Sequence, residues 1–158
     1  MGPEAHSEAE VLEGHAPAGI PGKLSVTVVT PVGSLLSHDA DEVVAPGSEG
    51  EVGVLPGHVP FLTVLKPGVL RVRSAKETQI MAVGRGFLEV GIGGVKVLVD
   101  QAKWSSDIDV AGAKQELAKL EEELKELAHA QDVEVGAVER LTARRDWAQA
   151  RIDAAAAK

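Results

Sequence analysis

Two polar side chains, Glu51 and His58, stand in a stretch whose residue types favour a rigid, shaped loop. Residues 50–60 contain three glycines and two prolines. Glycine permits positive φ and proline fixes φ near about −65°, so this stretch is predicted to hold its polar side chains at defined positions. The alternative is a surface turn whose polar groups face water, and composition alone favours that alternative.

Catalytic chemistry is only weakly indicated. Five polar residues near one another in sequence include hydroxyls, an imidazole and carboxylates: Ser34, Ser37, His38, Asp39 and Asp41. Nucleophilic catalysis requires a defined three-dimensional geometry, and polar turns bring such residues together in sequence by chance. We therefore predict that the chain has no catalytic residue.

Metal and phosphate sites are not indicated either. The five histidines are scattered, and none is paired with another ligand at the spacing of a metal site. Two glycine-rich runs, residues 84–86 and 91–94, match no complete phosphate-binding fingerprint. We predict that they form hairpin turns and bulges, and that the chain holds no metal.

Composition limits the class of protein that presents these side chains. The chain has 158 residues, 44% of them hydrophobic, 25% charged and 3% aromatic, with a net charge of −8 and no cysteine. An acidic chain with few aromatic side chains is poorly suited to bind nucleic acid, and the absence of cysteine excludes disulfides and thiolate metal sites. There is no apolar run of about 20 residues and no signal-peptide pattern. We expect a soluble chain that is not exported.

Three regions differ in pattern. Residues 1–22 carry four acidic residues, several prolines and glycines and no Lys or Arg, which predicts a flexible extension. Residues 23–104 contain short runs rich in β-branched residues, which predict a β-sandwich or flattened barrel of mostly antiparallel strands. The clearest predicted strands are Ser25–Thr30, Val69–Arg73 and Val95–Val99, and the predicted breaks include Pro31–Gly33, Pro46–Gly47 and Pro67–Gly68.

Residues 105–158 change to helical periodicity. Leucines at steps of three, four and three predict one apolar face of a first helix: Leu117, Leu120, Leu124 and Leu127. The sequence Ser106–Asp109 has the form of a capping box and predicts the start of that helix, and Asp132 is predicted to cap a second helix. Apolar and small residues of the second helix predict its packing face: Ala137, Val138, Leu141, Ala148, Ile152 and Ala155. We expect an antiparallel two-helix hairpin.

The second helix also presents a basic face. Arg140, Arg144 and Arg151 are spaced so that they share one side of the helix with Trp147. Arginine suits docking on an acidic protein surface. The alternative, a solvated face paired with glutamates of the first helix, is about equally well supported by the sequence alone.

Several of these stretches together resemble the epsilon subunit of bacterial F-type ATP synthases, and the resemblance covers all but about the first 22 residues. It is carried by residues 50–60, 61–68, 86–90, 95–100 and 108–109. It implies a non-catalytic rotor subunit in the central stalk of a proton-translocating enzyme, peripheral to the cytoplasmic face of the bacterial inner membrane. The sandwich is expected to join the gamma subunit to the c-subunit ring, so that rotation is coupled to the alpha/beta catalytic hexamer.

The resemblance also assigns residues to roles. The c-ring and gamma interface is expected to include Glu51, Pro56, Gly57 and His58. The hairpin is the movable part and is expected to inhibit ATP hydrolysis when Arg140, Arg144 and Arg151 contact the catalytic hexamer. The alternative function is a free-standing β-sandwich that binds some other protein and carries a helical tail.

Some members of the family bind ATP in the folded hairpin through a pattern Ile/Leu-Asp-x-x-Arg-Ala. Asp109 and Arg151 match nucleotide-binding positions, but Gly112 replaces the arginine of the pattern and Trp147 stands where a further arginine is found. The loss of a phosphate-pairing cation predicts weak ATP binding or none. We therefore expect no cofactor.

Overall fold

Ten β-strands followed by two α-helices make up the computed structural model, which describes residues 22–92 and 94–158. The strands are β1 (Leu24–Thr30), β2 (Gly33–Ala40), β3 (Glu42–Gly47), β4 (Gly50–Val54), β5 (Phe61–Leu65), β6 (Gly68–Arg73), β7 (Thr78–Val83), β8 (Gly86–Gly91), β9 (Gly94–Val99) and β10 (Ala102–Trp104). A 3₁₀ turn at Ser105–Asp107 leads to helices α1 (Val110–Ala128) and α2 (Ala137–Ala156). The predicted extension, except for Gly22, lies outside the described residues.

The strands form a nearly closed sandwich, which confirms the predicted fold class. Their order is β10-β7-β6-β3-β5-β8-β9-β1-β2, and β4 joins the free side of β3. The pairs are antiparallel except for β1 with β9. His38 of β2 hydrogen-bonds to Gln79 of β7, so a side-chain contact links strands from distant parts of the strand order.

The core follows from alternation along the strands. In β1, every second side chain from Leu24 to Thr30 is buried while the others are half-buried. Leu65, Leu70, Met81 and Leu88 are the largest fully buried side chains among the strands. All members of the main apolar cluster lie between Leu24 and Trp104, so the core of the sandwich is complete without the helices.

One of the predicted breaks between strands is itself part of a strand. Pro46 and Gly47 lie in β3, where they pair with Glu51 and Gly50 of β4. Pro46 lacks an N–H but its carbonyl accepts a hydrogen bond from the backbone N–H of Lys66 at 3.0 Å. A Cβ at Gly47 would lie 2.5 Å from the carbonyl oxygen of Gly50, so only glycine allows this close approach. The local turn preference is therefore overridden by pairing on both sides of β3.

The other glycine-rich runs agree with their prediction only in part, because Gly91 and Gly94 close the β8–β9 hairpin, whereas residues 84–86 connect β7 to β8, which do not pair with each other. Gly86 follows the turn between β7 and β8, and Gly91 pairs with Gly94 at the β8–β9 hairpin. A Cβ at Gly86 would lie 1.8 Å from the carbonyl oxygen of Leu98, so the neighbouring strand approaches too closely for a side chain.

Both predicted helix starts are wrong by several residues. Helix α1 begins at Val110, and its cap is Asp109, whose Oδ1 accepts the backbone N–H of Gly112 at 3.1 Å. Helix α2 begins at Ala137 after Gly136, which has φ 83° and provides no side-chain cap, so Asp132 does not cap it. A 3₁₀ turn occupies Ser105–Asp107, so the capping box predicted to begin at Ser106 does not form, and Asp109, the acidic residue of that pattern, is the cap.

The helices form the predicted hairpin and lie on one face of the sandwich. Helix α2 is the middle layer, because it contacts α1 on one side and strands β6 and β7 on the other. Leu120 of α1 and Ala148 of α2 are fully buried. Ala150 and Ala154, also buried, lie one turn apart on the side of α2 away from Ala148 and were not among the predicted packing residues. Because α2 is buried on two sides, the single apolar face predicted from the sequence accounts for only one of its two packing surfaces.

Candidate functional site

Glu51 lies in strand β4, close to the β3–β4 turn. Its side chain is 69% exposed, and its Oε1 is 3.6 Å from Nη1 of Arg71 on β6. It pairs across the sheet with Pro46. A carboxylate this exposed is available to a partner, and the long distance to Arg71 makes that ion pair weak.

His58 lies in the loop that joins β4 to β5. The backbone N–H of His58 donates to the carbonyl of Leu55 at 3.1 Å, and Gly57 has φ 82°, which favours glycine. Nδ1 of His58 is 2.7 Å from the carbonyl oxygen of Val59, and its ring centroid is 5.4 Å from that of Phe61. Since a carbonyl only accepts, Nδ1 carries a proton in this contact. The predicted loop is therefore correct only for residues 55–60, because residues 50–54 pair with β3 and form strand β4 instead.

Glu51 and His58 are separated by the length of strand β4. Glu51 lines a cavity of about 520 Å³ with Arg71 and with Asp153 of helix α2. His58 lines a cavity of about 210 Å³ with Lys23 and Ile92, at the end of the sandwich where β1 starts and the β8–β9 hairpin turns. The glycine- and proline-rich stretch thus places its two predicted site residues in two separate regions of the sandwich surface.

An apolar row crosses the outer face of three neighbouring strands. Val64 of β5 pairs with Phe87 of β8, which pairs with Leu98 of β9. All three are exposed, Phe87 to 50%. This row was not among the predicted site residues, although the sequence carries a signal for it in strands with apolar residues on both faces, for example Phe61–Leu65. A contiguous row of exposed apolar side chains is a candidate contact surface.

The arginine face is divided in this structure. Arg140 and Arg144 are exposed, and Nη2 of Arg140 is 3.2 Å from Oε2 of Glu134. Arg151, in contrast, is only 16% exposed, and its Nη2 donates to Oε2 of Glu116 on α1 at 2.6 Å. Its guanidinium also lies 5.6 Å from the ring centroid of Trp147. Arg140 and Arg144 are therefore open to a partner in the folded hairpin, whereas Arg151 is used within it.

The two predicted nucleotide-binding residues are also engaged within the protein. The Asp109 carboxylate caps helix α1, and the Arg151 guanidinium pairs with Glu116. A side chain at Gly112 would press on Asp109, since a Cβ there would lie 2.5 Å from Oδ2 of that residue. The folded hairpin thus engages the Asp109 carboxylate through a backbone N–H and Nη2 of Arg151 through Glu116, while the buried Nε of Arg151 has no hydrogen-bond partner among the described residues.

The polar residues of β2 make structural hydrogen bonds. Nδ1 of His38 lies 2.9 Å from the carbonyl oxygen of Asp39, and Ser34 donates from Oγ to the carbonyl of Leu36 at 3.3 Å. Within residues 22–92 and 94–158, no three His, Asp or Glu side chains gather in the manner of a metal site. No helix in the same described part of the chain is both long and apolar enough to cross a membrane.

Comparison with known proteins gives one consistent family. Residues 23–105 match the family model of the ATP synthase delta/epsilon chain β-sandwich domain. The chain is 44% identical over 108 residues to ATP synthase epsilon chain 2 of Syntrophotalea carbinolica, covering 68% of this chain and 78% of the relative. It is 46% identical over 106 residues to the ATP synthase epsilon chain of Geotalea uraniireducens, with 67% and 77% covered.

Solved structures share the fold at lower sequence identity. One is a chain of the mitochondrial ATP synthase of Euglena gracilis, from a complex of OSCP, F1 and c-ring. It superposes with a TM-score of 0.70 at 20% sequence identity, and the match covers 85% of this chain and 82% of that chain. A chain from the central stalk and c-ring of Tetrahymena thermophila mitochondrial ATP synthase gives a TM-score of 0.57 at 18% identity, with 84% and 96% covered.

Proposed function

Because this chain belongs to the epsilon-chain family of ATP synthases, we propose that it is the non-catalytic rotor subunit that joins the gamma subunit to the c-subunit ring. In that position it transmits ring rotation, driven by proton translocation, to the alpha/beta catalytic hexamer. It is held at the cytoplasmic face of the bacterial inner membrane by the complex. The match over residues 23–105 is the observation that carries this proposal.

Residues 50–60 lie at two separate regions of the sandwich, and this separation suggests how the sandwich contacts two partners. Glu51 is exposed at the end that holds the β3–β4 turn, while Pro56, Gly57 and His58 lie at the other end. We assign Glu51 to the ring and the loop with His58 to gamma, since contact regions at opposite ends of a strand suit two partners better than one.

The helical hairpin is proposed to act as a brake on ATP hydrolysis. Its contact with the sandwich supports a movable role: Ala150 and Ala154 are the buried residues on the side of α2 that faces β6 and β7, and they present little apolar area. Within the described residues, no side-chain hydrogen bond or ion pair joins the helices to the strands. Such an interface can separate at modest cost, which a two-state element requires.

The proposed brake requires a basic surface that reaches the catalytic hexamer. Arg140 and Arg144 are exposed while the hairpin is folded, and Arg151 becomes exposed only if α1 and α2 separate. We propose that Arg140 and Arg144 make the first contact with an acidic surface of the hexamer, and that Arg151 adds to it after the hairpin opens.

The test is ATP hydrolysis by a catalytic sector that has been stripped of this subunit. The full chain and a chain that ends at Trp104 are added back separately. The shortened chain retains the complete sandwich core, so it is a fair comparison. If both bind and only the full chain lowers hydrolysis, the hairpin is the brake. Equal effects of the two chains would contradict the brake, and binding by neither would contradict the proposed function.

A further inference from the structure

Strands β4 and β5 follow one another in the chain but do not pair with each other. Among the described residues, β4 pairs only with β3, and β5 meets β3 only where Leu65 pairs with Gly47. A groove of about 550 Å³ lies between them. One side of this groove is the free backbone edge of β4, and the other is the outer face of β5 and β8.

The β4 edge lacks the protection that exposed strands usually carry. Free edges attract other strands, and proteins guard them with prolines, lysines or covering loops. Gly50 and Gly53 of β4 have no heavy atom within 4 Å of an added Cβ, and Glu51 is the only charged residue in the strand. Side chains of a partner can therefore lie over the sheet face at Gly50 and Gly53 without steric obstruction.

The groove also has a defined chemical character. Its apolar lining includes Leu62, which is 65% exposed, together with Val64 and Phe87. Its charged lining residues are Glu49 and Glu51. The occupant should therefore present apolar side chains toward β5 and a positive charge toward the two glutamates.

We propose that this groove binds an extended segment of a partner protein, which adds as a strand to the free edge of β4. The segment carries apolar residues at alternate positions and a lysine or arginine beside Glu49 and Glu51. Main-chain hydrogen bonds to β4 provide affinity, and the groove selects the side chains. The inference rests on the proposed function for the identity of the partner, which belongs to the rotor.

Hydrogen exchange measured on the full chain, alone and in complex with the gamma subunit and c-ring, tests the proposal. We expect the outward-facing amides of Gly50–Val54 to exchange at least about tenfold more slowly in the complex, because an added strand gives them hydrogen-bond acceptors. A complex that forms without slower exchange in β4 would overturn the inference and leave the proposed function intact. Failure of the complex to form would overturn both. Slower exchange at higher concentration of this chain alone would mean that a second copy fills the groove, which also contradicts the proposal.

Two substitutions test the side-chain part of the argument. Val64→Glu places a charge in the apolar lining, and Glu49→Lys reverses the charge beside the edge. Both positions are exposed, so the fold should be retained. Each is expected to weaken binding to the rotor partners at least about tenfold. Val32→Glu is the matched control, because Val32 is 94% exposed in the β1–β2 turn, outside the groove. Equal affinities for all three variants would refute the assigned groove.

Discussion

Arg151 of helix α2 donates a hydrogen bond from Nη2 to Oε2 of Glu116 on helix α1 at 2.6 Å, and this pair joins residues 35 positions apart in the sequence. The Arg151 side chain is 16% exposed and that of Glu116 34%. The ion pair therefore ties the two helices to each other, whereas contact with the sandwich depends on small apolar residues of α2. We infer that the hairpin leaves the sandwich more readily than its two helices separate.

Glu116→Gln should destabilise the closed hairpin by about 1–3 kcal/mol, because it leaves a mostly buried guanidinium without its countercharge. The expected observation is faster hydrogen exchange in α1 and α2 with unchanged exchange in β1 and β9. Glu122→Gln, at an exposed position of the same helix, is the control. If both variants exchange alike, the ion pair does not hold the hairpin closed.

Ala154→Leu should displace the hairpin from the sandwich. Ala154 is fully buried, and extra methylene groups in a well-packed interface cost about 1–3 kcal/mol. A cysteine pair engineered across α2 and β6 should then crosslink more slowly, while the sandwich keeps its melting temperature. Gln149→Leu adds a leucine to an exposed position of the same helix and should leave crosslinking unchanged. Unchanged crosslinking in Ala154→Leu would show that the interface has more space than its burial indicates.

Glu51→Gln should weaken attachment to the c-ring with little loss of stability. The pair with Arg71 is long and Glu51 is 69% exposed, so its contribution to folding is expected to be under about 1 kcal/mol. The measurement is retention of the subunit on purified c-ring at low and high salt, with the thermal melt recorded alongside. His58→Ala serves as the comparison, since His58 lies at the other end of β4 and is assigned to gamma. Equal loss of ring attachment in both variants would contradict the assignment of two separate regions.

Reversing Arg140 and Arg144 to glutamate should relieve the inhibition of ATP hydrolysis. Both side chains are exposed, so the hairpin should stay folded. If the two arginines contact an acidic surface, reversal replaces attraction with repulsion, and hydrolysis should approach the rate of the complex with the chain that ends at Trp104. The control changes Lys114 and Lys119, which are exposed on α1, to glutamate. It alters the net charge of the chain by the same amount. Inhibition that survives in the α2 variant would argue against the arginine contact.

ATP is expected to leave the hairpin unchanged. Asp109 already caps α1, Arg151 already pairs with Glu116, and Gly112 provides no cation. Titration calorimetry and hydrogen exchange of α1 and α2 with millimolar ATP should therefore show no binding and no added protection. Saturable binding with protection of the helices would show that the nucleotide displaces the internal ion pair.

The sequence alone predicted the elements that depend on local periodicity. The β-branched residues of Ser25–Thr30 predicted a strand, which the structure extends by one residue to Leu24, and the leucine spacing that includes Leu120 predicted the inner face of α1. Both patterns are properties of a single segment, so they can be read without knowing its neighbours. The boundaries were predicted less well, since the predicted capping box begins at Ser106 whereas Asp109 caps α1, and Asp132 precedes a helix that starts five residues later.

Only the tertiary structure decided which predicted residues act together. Glu51 and His58 belong to one motif in sequence, yet the straight run of β4 places them at separate ends of the sandwich. Arg151 shares a helix face with Arg144, yet the packing of α2 against α1 buries it beside Glu116. Local residue types determine strands, turns and helices, whereas exposure and pairing depend on contacts between segments far apart in the chain, which no single segment encodes.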